Sequence, residues 1–267
     1  MTETYQHIIV EQQGEVDWLT LNRPDALNSL NMEMVRELTS YFQGLYYRHD
    51  RRIVVLRGAG RMFCAGLDLG ENPGVVKDMP VQQPMGVQVA IRDIIRAMRL
   101  CPQPIIALVH GAACGGGFSL ALASDIRIAG ESMKMNAAYI RIGLGGCDIG
   151  SSYFLPRLVG VSVASELLLT GRFIHAERAL RVNLVSEVVS DDQLAAAAAP
   201  YIEDMLGTSP MGLRMTKQAL NVAIDASSLD AVLALEDRQQ VLLGQTDDHQ
   251  EAVQAFKGKR KPVYQDR

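Results

Sequence analysis

The stretch IIALVHGAACGGGFSLALASD, residues 105–125, decides the reading of this chain. Ile105–Val109 is a run of apolar and β-branched residues and reads as a buried strand, while residues 118–123 form an apolar, helix-favouring segment. Between them stand Gly115, Gly116 and Gly117, which make the join a strand, a glycine turn and a buried helix. Glycines let backbone approach a ligand without Cβ interference, and the amides that open a helix point outward, unpaired, at its positive end. Such a turn is a seat for negative charge. A phosphate fits it poorly, because the GxxxxGK[ST] pattern is absent and no Lys or Arg follows the glycines until Arg127. The developing oxyanion of an activated carbonyl fits better, and needs a second amide donor from elsewhere. Glycines that only let helix pack closely on strand are the alternative.

Two other stretches bear on that choice. MFCAGLDLG, residues 62–70, places the small Ala65 and Gly66 directly before Leu67, after a short apolar strand at 53–56. A backbone amide here is a candidate second donor, although a tight loop without a ligand reads the same way. GLGGCDIGSSYFLPRLVG, residues 143–160, surrounds Asp148 with Gly143, Gly145, Gly146 and Gly150. That carboxylate belongs to a segment of permissive backbone instead of a solvated helix face; capping the helix that follows is its structural alternative.

The rest of the chain supplies a frame. Residues 6–11 and 15–21 alternate around Gln13-Gly14 as a hairpin, which Asn22-Arg23-Pro24 ends. Ser29 or Asn31 can cap a helix carrying Met34, Leu38, Phe42 and Leu45 on one face. Residues 71–83, rich in Pro, Gly, Gln and Asp, read as mobile; a helix is expected over about 86–100, stopped by Pro102 and Pro104. A short strand follows Asp125. Beyond Gly160 helices dominate, at 162–170, 176–180, 193–206, 211–223, 229–243 and 250–256, with one strand at 184–189.

A length of 267 residues suits one large domain with a helical appendage. Hydrophobic residues at 48%, charged residues at 21% and a net charge of −4 give no basic excess for a nucleic-acid surface. No apolar run is read as approaching the roughly 18–20 residues that cross a membrane, and the start MTETYQHIIVEQQ lacks a signal-peptide pattern. These features predict a cytoplasmic protein. Cys64, Cys101, Cys114 and Cys147 are scattered, with no CxxC pair and no histidine at ligand spacing, so no metal site is expected.

With these residues in hand, the chain resembles the crotonase, or enoyl-CoA hydratase/isomerase, family over nearly its full length. The likeness is carried, in order, by NRPDALNSL (22–30), FCAGLDL (63–69), PIIALVHGAACGGGFSLALASDIRIA (104–129), LPRLVG (155–160), LLLTGRFIHAERALRVNLVSEVV (167–189) and AFKGKRKP (255–262). It implies an α/β fold with a ββα spiral core over residues 1–190 and a C-terminal helical trimerisation subdomain over 191–267. It also implies an acyl-CoA thioester as ligand, with coenzyme A arriving as part of the substrate and no other cofactor, and a homotrimer or dimer of trimers. The amides of Leu67 and Gly116 would be the oxyanion pair, flanked by Gly66 and Gly115. Asn22, Arg23, Ala26, Ala65, Asp68 and Leu69 would line the path of the nucleotide and pantetheine. Phe256 and Lys259 match the residues that reach the adenosine and its phosphate, often on a neighbouring subunit.

The family's hydratases use two glutamates as acid and base; here Ser119 and Tyr139 stand at those positions. Neither is a carboxylate, so the usual hydration route has no acid/base pair. Asp148 is similar in place to a carboxylate used by the family's dienoyl-CoA isomerases and by its chlorobenzoyl-CoA dehalogenases. The dehalogenases also need a histidine on the preceding helix and a nearby tryptophan, whereas this chain has no histidine between His49 and His110 and only Trp18. Asp148 is therefore the acid/base candidate, with Ser119 and Tyr139 positioning a water. Loss of chemistry with retained acyl-CoA binding, and thioester hydrolysis, are the competing functions.

Overall fold

The computed structural model describes residues 5–71 and 79–267. Residues 72–78, inside the stretch read as mobile, lie outside the described residues. A six-stranded sheet has the order β1-β2-β3-β4-β6-β9. The first pair, β1 (Ile8–Gln13) and β2 (Val16–Leu21), is the expected antiparallel hairpin. The others, β3 (Ile53–Gly58), β4 (Ile105–Val109), β6 (Ile126–Gly130) and β9 (Glu187–Val189), add in parallel. Parallel strands covered on both faces read as unbroken apolar runs. That is the pattern of β3 and β4, where Val54, Leu56, Ile105, Ala107 and Val109 join one core cluster and Ile53, Val55, Ile106 and Leu108 join the other.

The larger cluster is roofed by α1 (Met32–Gly44), α2 (Gln82–Leu100) and α3 (Gly116–Ala123), together with α4 (Ser151–Thr170). Asn31, not Ser29, caps α1: its side chain accepts from the Met34 amide at 2.9 Å. Helix α2 starts at Gln82, a turn earlier than the pattern suggested. The second face is covered by α6 (Leu194–Leu206), through Leu194 and Ala198, and Arg52 donates to the carbonyls of Met205, Leu206 and Thr208 at its C-terminal end. Beyond α5 (Ala176–Arg181) and α6, the chain ends in α7 (Pro210–Ala223), α8 (Leu229–Gly244) and α9 (Asp247–Lys257).

A second, small sheet was not anticipated. It joins β5 (Ala112–Cys114), β7 (Lys134–Asn136) and β8 (Ile174–His175), all too short to generate a periodic pattern. The glycine turn is therefore preceded by two strands, β4 and β5, and the unit is strand, strand, helix. The late strand expected at 184–189 is formed only by β9. Helix α4 also differs from expectation. It begins at Ser151 and, among the described residues, is the one helix with the length and apolar composition of a membrane span. Gly160, with φ 78° and ψ 161°, breaks it into two pieces, each about 15 Å long against the ~30 Å of a bilayer core.

Candidate active site

The site grows from the join between β5 and α3. Gly115 has φ 51° and ψ −114°, a backbone conformation that a side chain would strain. It turns the chain into α3, whose eight residues are all buried, so the helix N-terminus delivers its partial positive charge in a dry environment. Beside it runs residues 62–68. Cys64 bridges Ala113 of β5, and Gly66 takes φ 100° where a Cβ would lie 2.8 Å from the Cys114 oxygen and 3.4 Å from the Gly116 nitrogen. The two segments expected to supply the donor pair are thus in contact. Neither the Leu67 nor the Gly116 amide donates to an acceptor among the described residues. Two unpaired amides on adjoining segments, one of them at a buried helix start, are donors that an oxyanion could use.

The 22–30 turn braces that loop. Ala65 donates to the Leu27 carbonyl at 3.0 Å, Leu30 to Gly66 at 2.7 Å, and Asp68 to Leu30 at 3.0 Å. Leu27 and Asn28 both have positive φ, and the buried Asn28 side chain holds the turn by donating to Ala59 and Met62 and accepting from the Arg23 amide. Arg23 and Asp68, expected along the ligand path, face each other: the guanidinium reaches Asp68 Oδ2 at 2.8 Å and Glu71 Oε1 at 2.5 Å. Burial pushes the Asp68 carboxyl up, but the Glu71 and Gly70 amides, Arg23 and Ser29 outweigh it and hold it below its ordinary value. The pair acts as a clasp on the loop that presents Leu67. Asn22 and Ala26 are half-buried on the same turn, Ala65 is half-buried beside it, and Leu69 is exposed.

On the other side of the glycine turn the structure gathers Ser119, Tyr139 and Asp148. Ser119 lies three residues past Gly116, hence on the same helix face, and is fully buried. The Tyr139 ring packs against the turn, its Cδ1 3.6 Å from where a Gly115 Cβ would be. Its buried Oη has no hydrogen-bond partner among the described residues. Burial pushes the Tyr139 phenol above its ordinary value; the nearby Ser151 and Ser119 hydroxyls pull it back and the Asp148 charge adds to the rise.

Asp148 is half-buried at the mouth of this cluster. Its backbone is tied by reciprocal bonds with Ser151, the Asp148 amide donating to Ser151 Oγ at 3.0 Å and the Ser151 amide to the Asp148 carbonyl at 2.9 Å. Ser119 Oγ donates to the same carbonyl at 3.4 Å. The carboxylate does not cap α4: Gly150 occupies that position, without a side-chain bond. Oδ1 instead accepts from the Ile149 amide at 2.8 Å and from Gln88 Nε2 at 2.5 Å. Gln88, on α2, is the residue that sequence reasoning missed, since nothing local marks it. The next residue, Ile149, is β-branched with φ 32°, a conformation costing on the order of 1–3 kcal/mol. Phe256 and Lys259 sit at the end of α9, Phe256 exposed, with no hydrogen bond or ion pair to this cluster.

Residues 11–267 match the enoyl-CoA hydratase/isomerase family. The chain belongs to that family. As a family member it is 38% identical over 98% of its length, and 94% of the relative's, to the Mycobacterium bovis protein named Probable enoyl-CoA hydratase echA12. It is 37% identical to the 1,2-epoxyphenylacetyl-CoA isomerase of Escherichia coli, covering 97% of this chain and 98% of the relative. Among solved structures, an enoyl-CoA hydratase from Bacillus anthracis superimposes with a TM-score of 0.92 at 34% identity, covering 98% of this chain and 100% of that chain. The crotonase fold is shown by these neighbours, and the ββα unit is the one described above.

Proposed function

We propose that this enzyme moves a proton between carbons of an acyl-CoA thioester, shifting a double bond, with the Leu67 and Gly116 amides holding the thioester oxygen and Asp148 as the single acid/base. The observation that carries this is Asp148 itself: a half-buried carboxylate whose Oδ1 is held by Gln88 and Ile149 while Oδ2 has no protein partner among the described residues. One base suffices. It takes a proton from one carbon next to the conjugated system, the electron pair spreads onto the oxygen held by the two amides, and the same carboxyl returns the proton at the far carbon of the enolate. Mass is unchanged. Ser119 and Tyr139 shape the pocket between the amides and Asp148. A second reading, hydration with Asp148 as base, is favoured by one observation, the unpartnered Tyr139 Oη, which with Ser119 can hold a water.

Coenzyme A is expected to lie along Asn22, Ala26, Ala65 and Leu69, with Phe256 and Lys259 reaching it from a neighbouring subunit of a trimer. Four unpaired cysteines fit a reducing compartment, and we assign the protein to the cytoplasm. The test is Asp148→Asn, assayed against saturated, 2-enoyl, 3-enoyl and aromatic CoA thioesters by mass spectrometry. Loss of turnover by about 10²-fold or more, with acyl-CoA binding retained, is expected. Undiminished turnover in the variant removes Asp148 from the chemistry. Gain of water points to hydration, loss of CoA to hydrolysis, and binding without turnover to a carrier.

A further inference from the structure

Helix α2 carries a stripe that neither the acid/base chemistry nor the oxyanion hole uses. From Gln88, which touches Asp148, the positions 92, 95, 96 and 99 recur at helical spacing on one side. Arg92, Ile95, Arg96 and Arg99 line a cavity of about 500 Å³ whose opposite wall is Ile149, Gly150, Tyr153 and Phe154. The cavity thus starts one residue past Asp148. It is apolar and aromatic on one side, with the Tyr153 and Phe154 rings edge-on at 5.0 Å, and cationic on the other.

Among the described residues, no carboxylate lines it. Arg92 is paired outside the cavity with Asp93 at 2.7 Å. Arg99 reaches Asp125 at 2.9 Å and bonds Asn221, and its guanidinium stands 5.7 Å over the Phe154 ring. Arg96, exposed between them, has no ion-pair partner among the described residues. Of the three guanidinium groups on this cleft, Arg92 and Arg99 already have carboxylate partners and Arg96 does not, so an anion entering the cleft would meet the uncompensated charge of Arg96, whose planar fork of donors suits a carboxylate.

We infer that this cleft takes the far end of the acyl group, and that the enzyme prefers acyl-CoA thioesters ending in a carboxylate. The inference rests on the acyl-CoA reading above. Position argues for the acyl end over the nucleotide: the stripe leads away from Asp148, while the bracing turn and Leu69 flank the other side of the oxyanion pair. Helix rise places Arg92 and Arg96 roughly 6 and 12 Å beyond Gln88 along the axis, a reach that suits a medium-length chain. Ile95, Ile149 and the two aromatic rings would pack its methylenes.

The test is a binding comparison of suberyl-CoA with octanoyl-CoA and free coenzyme A, on the full-length protein and on Arg96→Gln and Arg92→Gln, with the oligomeric state of each recorded. Suberyl-CoA is expected to bind about tenfold or more tightly than octanoyl-CoA, and either substitution should bring the ratio toward one. Equal binding of the two thioesters by the unaltered protein overturns the inference while leaving the acyl-CoA reading intact. Weakened binding of free coenzyme A in Arg96→Gln also overturns it, since the arginines would then serve the phosphates. Dissociation of the oligomer in that variant overturns it by making the cleft a subunit contact. Failure of all three ligands to bind takes down the acyl-CoA reading itself.

Discussion

Tyr139 shows how one side chain can serve chemistry at the expense of stability. Its ring fills space against the glycine turn, yet its Oη is buried without a partner, which costs about 1–3 kcal/mol in a folded protein. Evolution for stability alone would favour phenylalanine. Tyr139→Phe is therefore expected to raise the melting temperature and to leave double-bond isomerisation within about twofold, whereas a hydration that needs the hydroxyl to hold water would fall about tenfold or more, read by calorimetry beside turnover. Since burial lifts its phenol above the ordinary tyrosine value, any alkaline limb from this group should lie above that of a free phenol. A variant that loses stability and keeps full activity would make the hydroxyl a packing feature. Asp148 stands in contrast. Its Oδ1 accepts from Gln88 and from the Ile149 amide, its own amide donates to Ser151, and the N-cap position of α4 belongs to Gly150.

At the level of elements, the Leu67 and Gly116 amides proposed as the oxyanion pair come together because a buried helix and a loop approach without side chains between them. Gly117 is where they come closest: a Cβ there would lie 2.7 Å from Cys64 Cβ and collide with the Cys64 carbonyl. Gly117→Ala must displace α3 or the 62–68 segment, and with it the Gly116 amide. The expected loss is about 1–3 kcal/mol of stability and about 10²-fold in kcat/KM. Gly145→Ala, where nothing lies within 4 Å, should leave stability unchanged and serves as the comparison. Comparable losses in both variants would mean that the close approach at Gly117 is not what holds the donors. The same elements explain what was legible from residues alone. Strands β3 and β4 and helix α1 announce themselves by apolar runs, period and cap, and the glycine run marks the helix start. The three strands of the small sheet do not, because each depends on a partner distant in sequence, Cys64 with Ala113 or Lys134 with His175. The pairing of Arg23 with Asp68 and the reach of Gln88 to Asp148 hide for the same reason: |i−j| is 45 for one and 60 for the other.

For the whole molecule, the C-terminal helices carry apolar surface that their own chain leaves uncovered among the described residues. In the single chain, α8 buries only Gln239 and exposes Leu229, Leu233, Val241 and Leu242; Leu220 and Val222 of α7 and Ile224 after it are exposed as well. A helix that buries so little of its apolar surface gains almost nothing from packing within its own chain. Apolar residues concentrated there, unlike those scattered singly elsewhere, are what an association surface would present. The exposed Phe256 at the end of α9 points to the same need, for it contributes nothing to the site of its own subunit. Association would cover the helices and carry Phe256 and Lys259 to a neighbour's nucleotide path in a single step. The protein is therefore expected to sediment as a trimer or a dimer of trimers, and Leu233→Glu with Val241→Glu to shift it toward monomer. If Lys259 serves a neighbour's phosphate as proposed, the dissociated variant should bind coenzyme A about tenfold or more weakly, while Lys259→Gln weakens binding without dissociation. A monomer that binds coenzyme A as tightly as the assembly would separate the two roles and return the nucleotide contacts to one chain.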